Sequence, residues 1–122
     1  MRKHRLPISL RRSTVPGPAI LCRAVLCRER PAYRFTVKHS IYAHPDRFRL
    51  GVGRALLTAL IQACASAGVR RVIGYINGGN VASLWLHEGC GFRQVGYLRA
   101  VAFRFGEWTD TVMVRRAIGP EM

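Results

Sequence analysis

Two glycines separated by one residue, Gly51 and Gly53, stand between arginines in the stretch HPDRFRLGVGRALL, residues 44–57. The apolar residues that follow recur at helical spacing, so a helix is predicted to open from the glycine pair. The first turn of a helix leaves backbone N–H groups without partners, and glycines let an anion approach the backbone closely. With Arg49 and Arg54 beside it, this corner is suited to bind a pyrophosphate. The same glycines are also compatible with a tight turn that binds nothing, because short glycine motifs have many false positives.

The cysteines and histidines indicate neither a disulfide nor a metal site. The four cysteines (Cys22, Cys27, Cys64 and Cys90) contain no CxxC pair, and the four histidines show no zinc spacing. Cys64 falls on the apolar stripe of the predicted helix, which is typical of a small buried residue in a reducing compartment. We therefore expect a cytoplasmic protein that holds no metal.

The chain of 122 residues carries a formal net charge of +14, and most of the excess lies near its start. Residues 1–38 hold ten Lys/Arg against one acid, whereas the remaining residues hold ten Lys/Arg against five acids. No run of about 18 apolar residues occurs, so no membrane span is expected. A chain of this length forms at most one domain.

Residues 1–30 show no sustained period, and three prolines and a glycine interrupt them. We expect this segment to be a basic, disordered leader without a packed element. Two other interpretations stay open. One is an organellar transit peptide, which the Arg-rich composition favours and the prolines oppose. The other is a basic arm that contacts anionic partners.

Beyond residue 30 the pattern predicts the order strand, helix, strand, helix, strand, strand. The predicted elements are a strand over 32–43, a helix over 52–67 that ends at Gly68, a strand over 69–76, a short helix over 81–90 capped by Asn80, and a hairpin of strands over 92–105 and 108–114 that turns at Gly106. On the first strand, the predicted core face carries Tyr33, Phe35, Val37, His39 and Ile41.

In this order the chain resembles the GNAT superfamily of N-acetyltransferases, and within it the phosphinothricin-type enzymes. The resemblance covers residues 30–114 and rests on four stretches in register, RPAYRFTVKHSIYAHPD, GVGRALLTALI, NVASLWLHEGCGF and VGYLRAVAFRFGEWTD. It implies an α/β (α+β) fold with a mixed sheet, in which acetyl-CoA lies between two splayed parallel strands. It also implies a homodimer that acetylates the primary amine of a small amino acid or analogue.

The resemblance assigns two sets of residues to acetyl-CoA. Backbone groups of the first strand are implied to pair with the pantetheine amides, at Ile41, Tyr42 and Ala43. Backbone N–H groups of the glycine loop are implied to hold the pyrophosphate, at Arg49, Leu50, Gly51, Val52, Gly53 and Arg54. Phe48 departs from the family, which usually has Gln or Arg at this position.

Three residues of the short helix also match the family. Asn80 and Ser83 correspond to the NxxS stretch that contacts the CoA arm, and capping of the helix by Asn80 is compatible with that contact. His87 stands where many relatives carry Tyr or His near the departing thiol, and a general acid there would protonate the thiolate. A lone histidine on a short helix is more often structural.

Lys38 is the main departure from the family pattern. Phosphinothricin-type relatives have a glutamate here that accepts the proton of the attacking ammonium. A charged lysine repels that ammonium and becomes a base only if burial lowers its pKa strongly. His39 is adjacent but faces the other side of the strand, so it is a poor replacement.

The first half of the GNAT fold has no counterpart in residues 1–30. We therefore expect a truncated domain over residues 31–118 and a tail over 119–122, with binding of acetyl-CoA and weak or no turnover. The alternatives are a non-catalytic CoA-binding remnant of this fold and, less favoured, a basic nucleic-acid-binding protein. The last predicts affinity that falls steeply with salt.

Overall fold

The computed structural model describes residues 8–12, 20–26, 31–43 and 50–119. Its elements in chain order are β1 (Ile8–Arg12), β2 (Ile20–Leu26), a 3₁₀ turn (Pro31–Tyr33), β3 (Thr36–Ala43), α1 (Leu50–Ser66), β4 (Arg71–Asn77), α2 (Val81–Gly89), β5 (Arg93–Arg104) and β6 (Glu107–Ala117). The strands form one mixed sheet in the order β1-β2-β3-β4-β6-β5. Only β3 and β4 are parallel, and the other neighbours are antiparallel. The predicted mixed α/β fold is confirmed.

The sheet begins within the segment that the sequence predicts to be a disordered leader. β1 pairs with β2, and β2 pairs along its whole length with β3. The prediction of no packed element before residue 30 is therefore wrong for residues 8–12 and 20–26. These runs are short and interrupted by arginines, so their local pattern is weak. Pairing with β3 and packing against α1 supply the order that their own sequence does not specify.

The core lies between the two helices and one face of the sheet. Leu57 and Leu60 of α1 and Leu86 of α2 are buried against alternate residues of the strands, including Val37 and Val72. Residues of the opposite parity form the other face, where Lys38, Ile73 and Arg115 lie side by side on neighbouring strands. Among the described residues, no helix is both long enough and apolar enough to cross a membrane.

Element boundaries differ from prediction in two places that concern the site. α1 begins at Leu50 and not at residue 52, so Gly51 as well as Gly53 lies inside its first turn. β3 begins at Thr36, because the chain forms a 3₁₀ turn before it. Tyr33 and Phe35, predicted to face the core, are consequently 39% and 37% exposed, whereas Val37 and His39 are buried as predicted. The side chain of Ile41 lies outside the described residues.

Candidate functional site

The two parallel strands, β3 and β4, separate after pairing at four positions. β3 pairs with β4 from Thr36 and Arg71 as far as His39 and Gly74, and no further. Beyond that rung, residues 40–43 pair only with β2, and residues 75–77 pair only with β6. The facing edges of β3 and β4 therefore leave backbone N–H and C=O groups open. We call this opening the cleft between β3 and β4.

Both helices begin at the same edge of the sheet as this cleft, because each follows one of the two parallel strands. The first turn of α1 carries no acidic residue, and its N–H groups have no partner within the helix. Gly51 and Gly53 belong to that turn, and Gly53 is buried. An anion at this end of the cleft would meet N–H donors and the positive end of the helix dipole.

Of the two arginines predicted to flank this turn, the structure describes Arg54 and not Arg49. Arg54 is exposed, and its guanidinium rests on α2, where a Cβ added at Gly89 would be 2.7 Å from Nη2. In this conformation the Arg54 charge lies by the last turn of α2, where a helix dipole favours a cation.

Asn80 caps α2 as the sequence predicts. Its side-chain oxygen accepts a hydrogen bond from the backbone N–H of Ser83 at 3.1 Å. Asn80 is exposed, whereas Ser83 is buried and its hydroxyl lies 3.4 Å from Nδ1 of His87. Asn80 therefore lies open to solvent at the edge where the cleft ends, while the Ser83 hydroxyl lies beside a histidine ring in the interior.

His87 forms a buried pair with His39, a contact that the sequence did not predict. Their Nε2 atoms are 2.9 Å apart, their rings stack with centroids at 4.9 Å, and both rings also contact Phe92. The Nδ1 atom of His87 lies 2.7 Å from the carbonyl oxygen of Ser83. His87 is 1% and His39 5% exposed, so both nitrogens of His87 are occupied inside the protein.

Burial favours the neutral form of both His39 and His87, because it lowers the pKa of each ring. It lowers the pKa of His39 to about 3, with a further decrease from the neighbouring His87 and a smaller opposing effect of the Ser40 backbone. Burial likewise lowers the pKa of His87, against an opposing effect of the hydrogen bond to Ser83. Both rings are therefore neutral at neutral pH.

A second opening lies between the start of α2 and the tip of the β5–β6 hairpin. Its volume is about 560 Å³, and it is lined by Asn77, Gly79, Asn80, Arg104, Phe105, Glu107 and Thr109. Asn77 also ends the β4 side of the cleft between β3 and β4. One cation, one anion, two side-chain amides and one hydroxyl thus line a pocket beside that cleft, and of these residues the sequence singled out Asn80 alone.

The acetyltransferase (GNAT) family model matches residues 21–92, more than half of the chain. The chain belongs to the GNAT family. It is 48% identical over 92 residues to a phosphinothricin N-acetyltransferase of Alcaligenes faecalis. The matched region covers 75% of this chain and 47% of that protein. It is 37% identical over 83 residues to the L-amino acid N-acyltransferase MnaT of Escherichia coli, covering 68% and 48% of the two chains.

A solved GNAT structure agrees with this assignment. A phosphinothricin acetyltransferase from Sinorhizobium meliloti in complex with acetyl-CoA superposes with a TM-score of 0.78 at 37% identity, over 84% of this chain and 56% of that chain. The chain spans about half the length of the curated relatives it matches. The family match also starts at residue 21, so this GNAT domain includes β2 and not only residues after 30.

The structure of this GNAT chain brings most of the predicted binding residues to one edge of the sheet. The backbone of Ile41, Tyr42 and Ala43 lines the β3 side of the cleft, the first turn of α1 holds Leu50 to Gly53, and Asn80 starts α2. The two predicted catalytic residues are not at that edge. Lys38 is exposed on the sheet face away from the helices, and His87 is in the core.

Two further findings concern the residues that the structure describes. No group of three or more His, Cys, Asp or Glu side chains in the described ranges is placed to hold a metal ion. Cys64 and Cys90 carry free thiols, and burial raises the pKa of Cys64 to about 11, so that thiol is protonated and unreactive at neutral pH.

Proposed function

We propose that this GNAT chain binds acetyl-CoA in the cleft between β3 and β4 and takes part in acetylating the primary amine of a small amino acid or analogue. The observation that carries the proposal is the parting of the two strands beyond the rung of His39 and Gly74. The open backbone edges suit the two amides of a pantetheine arm, which need N–H and C=O partners. The acid-free first turn of α1 suits the pyrophosphate.

The similarity to named acyltransferases supports the reaction class. The relatives of 48% and 37% identity are described as acting on phosphinothricin and on L-amino acids, and the S. meliloti enzyme was solved with acetyl-CoA. In the proposed reaction the amine nitrogen attacks the thioester carbonyl, the C–S bond breaks, and the electron pair leaves with sulfur. The substrate ammonium loses two protons, of which one ends on the thiol and one is released.

In this chain the backbone is proposed to orient the thioester, because neither predicted catalytic residue, exposed Lys38 or buried His87, is placed to accept the proton of the ammonium. Backbone N–H groups of residues 40–43 are the nearest candidates to stabilise the developing oxyanion. Lys38 is exposed, so the burial on which its role as a base depends is missing. We therefore expect affinity for acetyl-CoA with slow turnover, and the non-catalytic CoA-binding form stays the second candidate on this observation.

The pocket beside the hairpin is the proposed place for the amine. Arg104 and Glu107 are cross-strand partners, and both line the pocket together with Asn77 and Thr109. A cation and an anion that line one pocket suit the carboxylate and ammonium of an amino acid. Arg104→Gln should raise the KM for an amino-acid acceptor while leaving the affinity for acetyl-CoA unchanged.

The homodimer that the family resemblance implies is also a proposal. The β5–β6 hairpin exposes apolar side chains along its length: Val95, Tyr97, Leu98, Val101, Phe103, Phe105 and Trp108. Patches of this kind mark interaction surfaces. Sedimentation equilibrium should give twice the chain mass, and Trp108→Glu should shift the population toward the monomer. We further propose a cytoplasmic location, which the free thiols favour.

Calorimetric titration with acetyl-CoA tests the central proposal. We expect binding, and we expect Gly53→Val in the first turn of α1 to weaken it at least about tenfold, or 1.4 kcal/mol. Ala59→Val is the matched control, because Ala59 is exposed on the same helix beyond its first turn. The proposal is wrong if folded wild-type protein gives no heat of binding with acetyl-CoA, or if Gly53→Val and Ala59→Val bind it with equal affinity. An amine-acetylation assay then separates an enzyme from a non-catalytic binder.

A further inference from the structure

The hydrogen bonds of the two buried histidines have a direction that their partners dictate. Nδ1 of His87 lies 2.7 Å from the Ser83 carbonyl oxygen, which can only accept, so this nitrogen carries the hydrogen. A neutral His87 then has a bare Nε2, which must accept. Nε2 of His39 lies 2.9 Å from it and is therefore the donor.

The remaining nitrogen supports this direction. Nδ1 of His39 is buried and has no hydrogen-bond partner, and in this arrangement it is a bare acceptor. The reverse arrangement would place the Nδ1 lone pair of His87 2.7 Å from the Ser83 carbonyl oxygen, where two acceptors repel.

His39 lies where the pairing of β3 and β4 ends, so its hydrogen bond to His87 connects α2 to that point of the sheet. His39 occupies the last rung at which β3 and β4 pair, and a Cβ added at its rung partner Gly74 would lie 3.0 Å from Nε2 of His39. His87 lies one turn after Ser83 in α2, the helix that Asn80 begins. The bond between the two rings thus joins α2 to the point where the cleft starts.

We propose that His39 is a positioning residue whose Nε2–H fixes His87 as the Nδ1–H tautomer and holds α2 against the vertex of the cleft between β3 and β4. The pair is a closed chain that ends on a carbonyl oxygen, and a carbonyl has no proton to pass on. His87 therefore acts as a structural acceptor and not as the acid that protonates a thiolate. The part of this proposal that concerns acetyl-CoA affinity rests on the proposed function, whereas the tautomer does not.

Long-range ¹H–¹⁵N correlation spectra of the ligand-free protein test the tautomer directly, since they distinguish protonated from bare ring nitrogens. We expect a protonated Nδ1 and bare Nε2 in His87, and a protonated Nε2 and bare Nδ1 in His39. Ser83→Ala removes the hydroxyl but keeps the carbonyl, so it should leave these assignments unchanged. A protonated Nε2 on neutral His87 overturns the proposal.

Two substitutions of His39 test the positioning role. His39→Gln keeps an N–H donor at about the place of Nε2, whereas His39→Met fills similar space without a donor. His39→Met should lower the affinity for acetyl-CoA about fivefold, as expected for one lost hydrogen bond, and His39→Gln should restore it to within about twofold. Equal affinities of His39→Met and wild type overturn the positioning role.

The tautomer assignment and the affinity for acetyl-CoA are tested independently of each other. The wild-type spectrum decides the tautomer even if His39→Met does not fold, and it needs no ligand. If wild-type protein shows no affinity for acetyl-CoA, the proposed function fails while the tautomer assignment stands or falls on its spectrum. Thermal unfolding of both variants shows whether an altered affinity comes from a folded protein.

Discussion

His39 lies over the open face of Gly74, its partner on the neighbouring strand. A Cβ added at Gly74 would be 3.0 Å from Nε2 and 3.3 Å from Cδ2 of the imidazole, and 3.1 Å from Cγ2 of Val114. The absence of a side chain at Gly74 therefore makes the space that the buried histidine ring occupies. Because this rung is the last before β3 and β4 separate, the glycine and the ring together define where the cleft begins.

Gly74→Ala should destabilise the protein, because the added methyl group overpacks a site closed by an imidazole and a valine. We expect a loss of about 1–3 kcal/mol in the free energy of unfolding, measured by urea denaturation. Gly79→Ala is the control. Among the described residues, the one atom that an added Cβ would closely approach is the side-chain oxygen of Asn77 at 3.3 Å in an exposed loop, so stability should change by less than about 0.5 kcal/mol. Equal stabilities of the two variants would contradict the packing described here.

Stability should fall as the solution is acidified below about pH 6.5. Burial lowers the pKa of His39 to about 3 and also lowers that of His87, whereas an unfolded histidine titrates near 6.5. Between these values the unfolded chain binds more protons, so each histidine removes up to about 1.4 kcal/mol per pH unit. Urea denaturation at pH 7, 6 and 5 measures this slope. His39→Gln should show a shallower slope, and an unchanged one would mean that His39 is not held neutral.

Asp110 fixes the bulge in the β5–β6 hairpin. Its carboxylate accepts hydrogen bonds from the Tyr97 hydroxyl at 2.5 Å and from the backbone N–H of Ala100 at 2.8 Å, and Ala100 has a left-handed φ of 50°. Asp110→Ala should release Ala100 from this conformation and speed hydrogen exchange of its amide at least about tenfold. Tyr97→Phe keeps the Ala100 bond and should leave that exchange rate nearly unchanged.

The same pair gives a titration test. The hydrogen bond to Asp110 raises the pKa of Tyr97, and the hydrogen bond from Tyr97 lowers the pKa of Asp110, with a second contribution from the Ala100 amide. Removing the carboxylate should therefore lower the pKa of Tyr97. ¹³C spectra of the tyrosine ring across pH 8–12 detect this, and an unchanged titration in Asp110→Ala would show that the bond is absent in solution.

Lys38→Glu should raise the turnover of amine acetylation by about 10² or more, which is what a positioned general base commonly contributes. Lys38 is exposed on the sheet face away from the helices, so a carboxylate there stays ionised without a burial penalty. Lys38→Gln is the control for removal of the charge alone. If both variants gain equally, repulsion of the substrate ammonium and not the missing base limits the reaction. High wild-type turnover that Lys38→Glu leaves unchanged would show that this position is not the base position.

Features that depend on neighbours in sequence were predicted well. The order of elements from β3 to β6, the cap at Asn80 and the hairpin turn at Gly106 agree with the structure. The helix start differs by two residues, because two glycines weaken the helical signal although they lie inside the first turn. β1 and β2 were missed, since their order comes from pairing with β3 and not from their own period.

The sequence alone determined the GNAT family, the run of local elements and the glycine-bearing helix start, because turns, caps and amphipathic periods depend on residues a few positions apart. Only the tertiary structure decided where β3 and β4 separate and that His39 meets His87, two residues 48 positions apart. It also placed Lys38 and His39 in opposite environments, one exposed and one buried. The physical reason is that strand register and burial are set by packing between distant segments, and that packing fixes which polar atoms find partners.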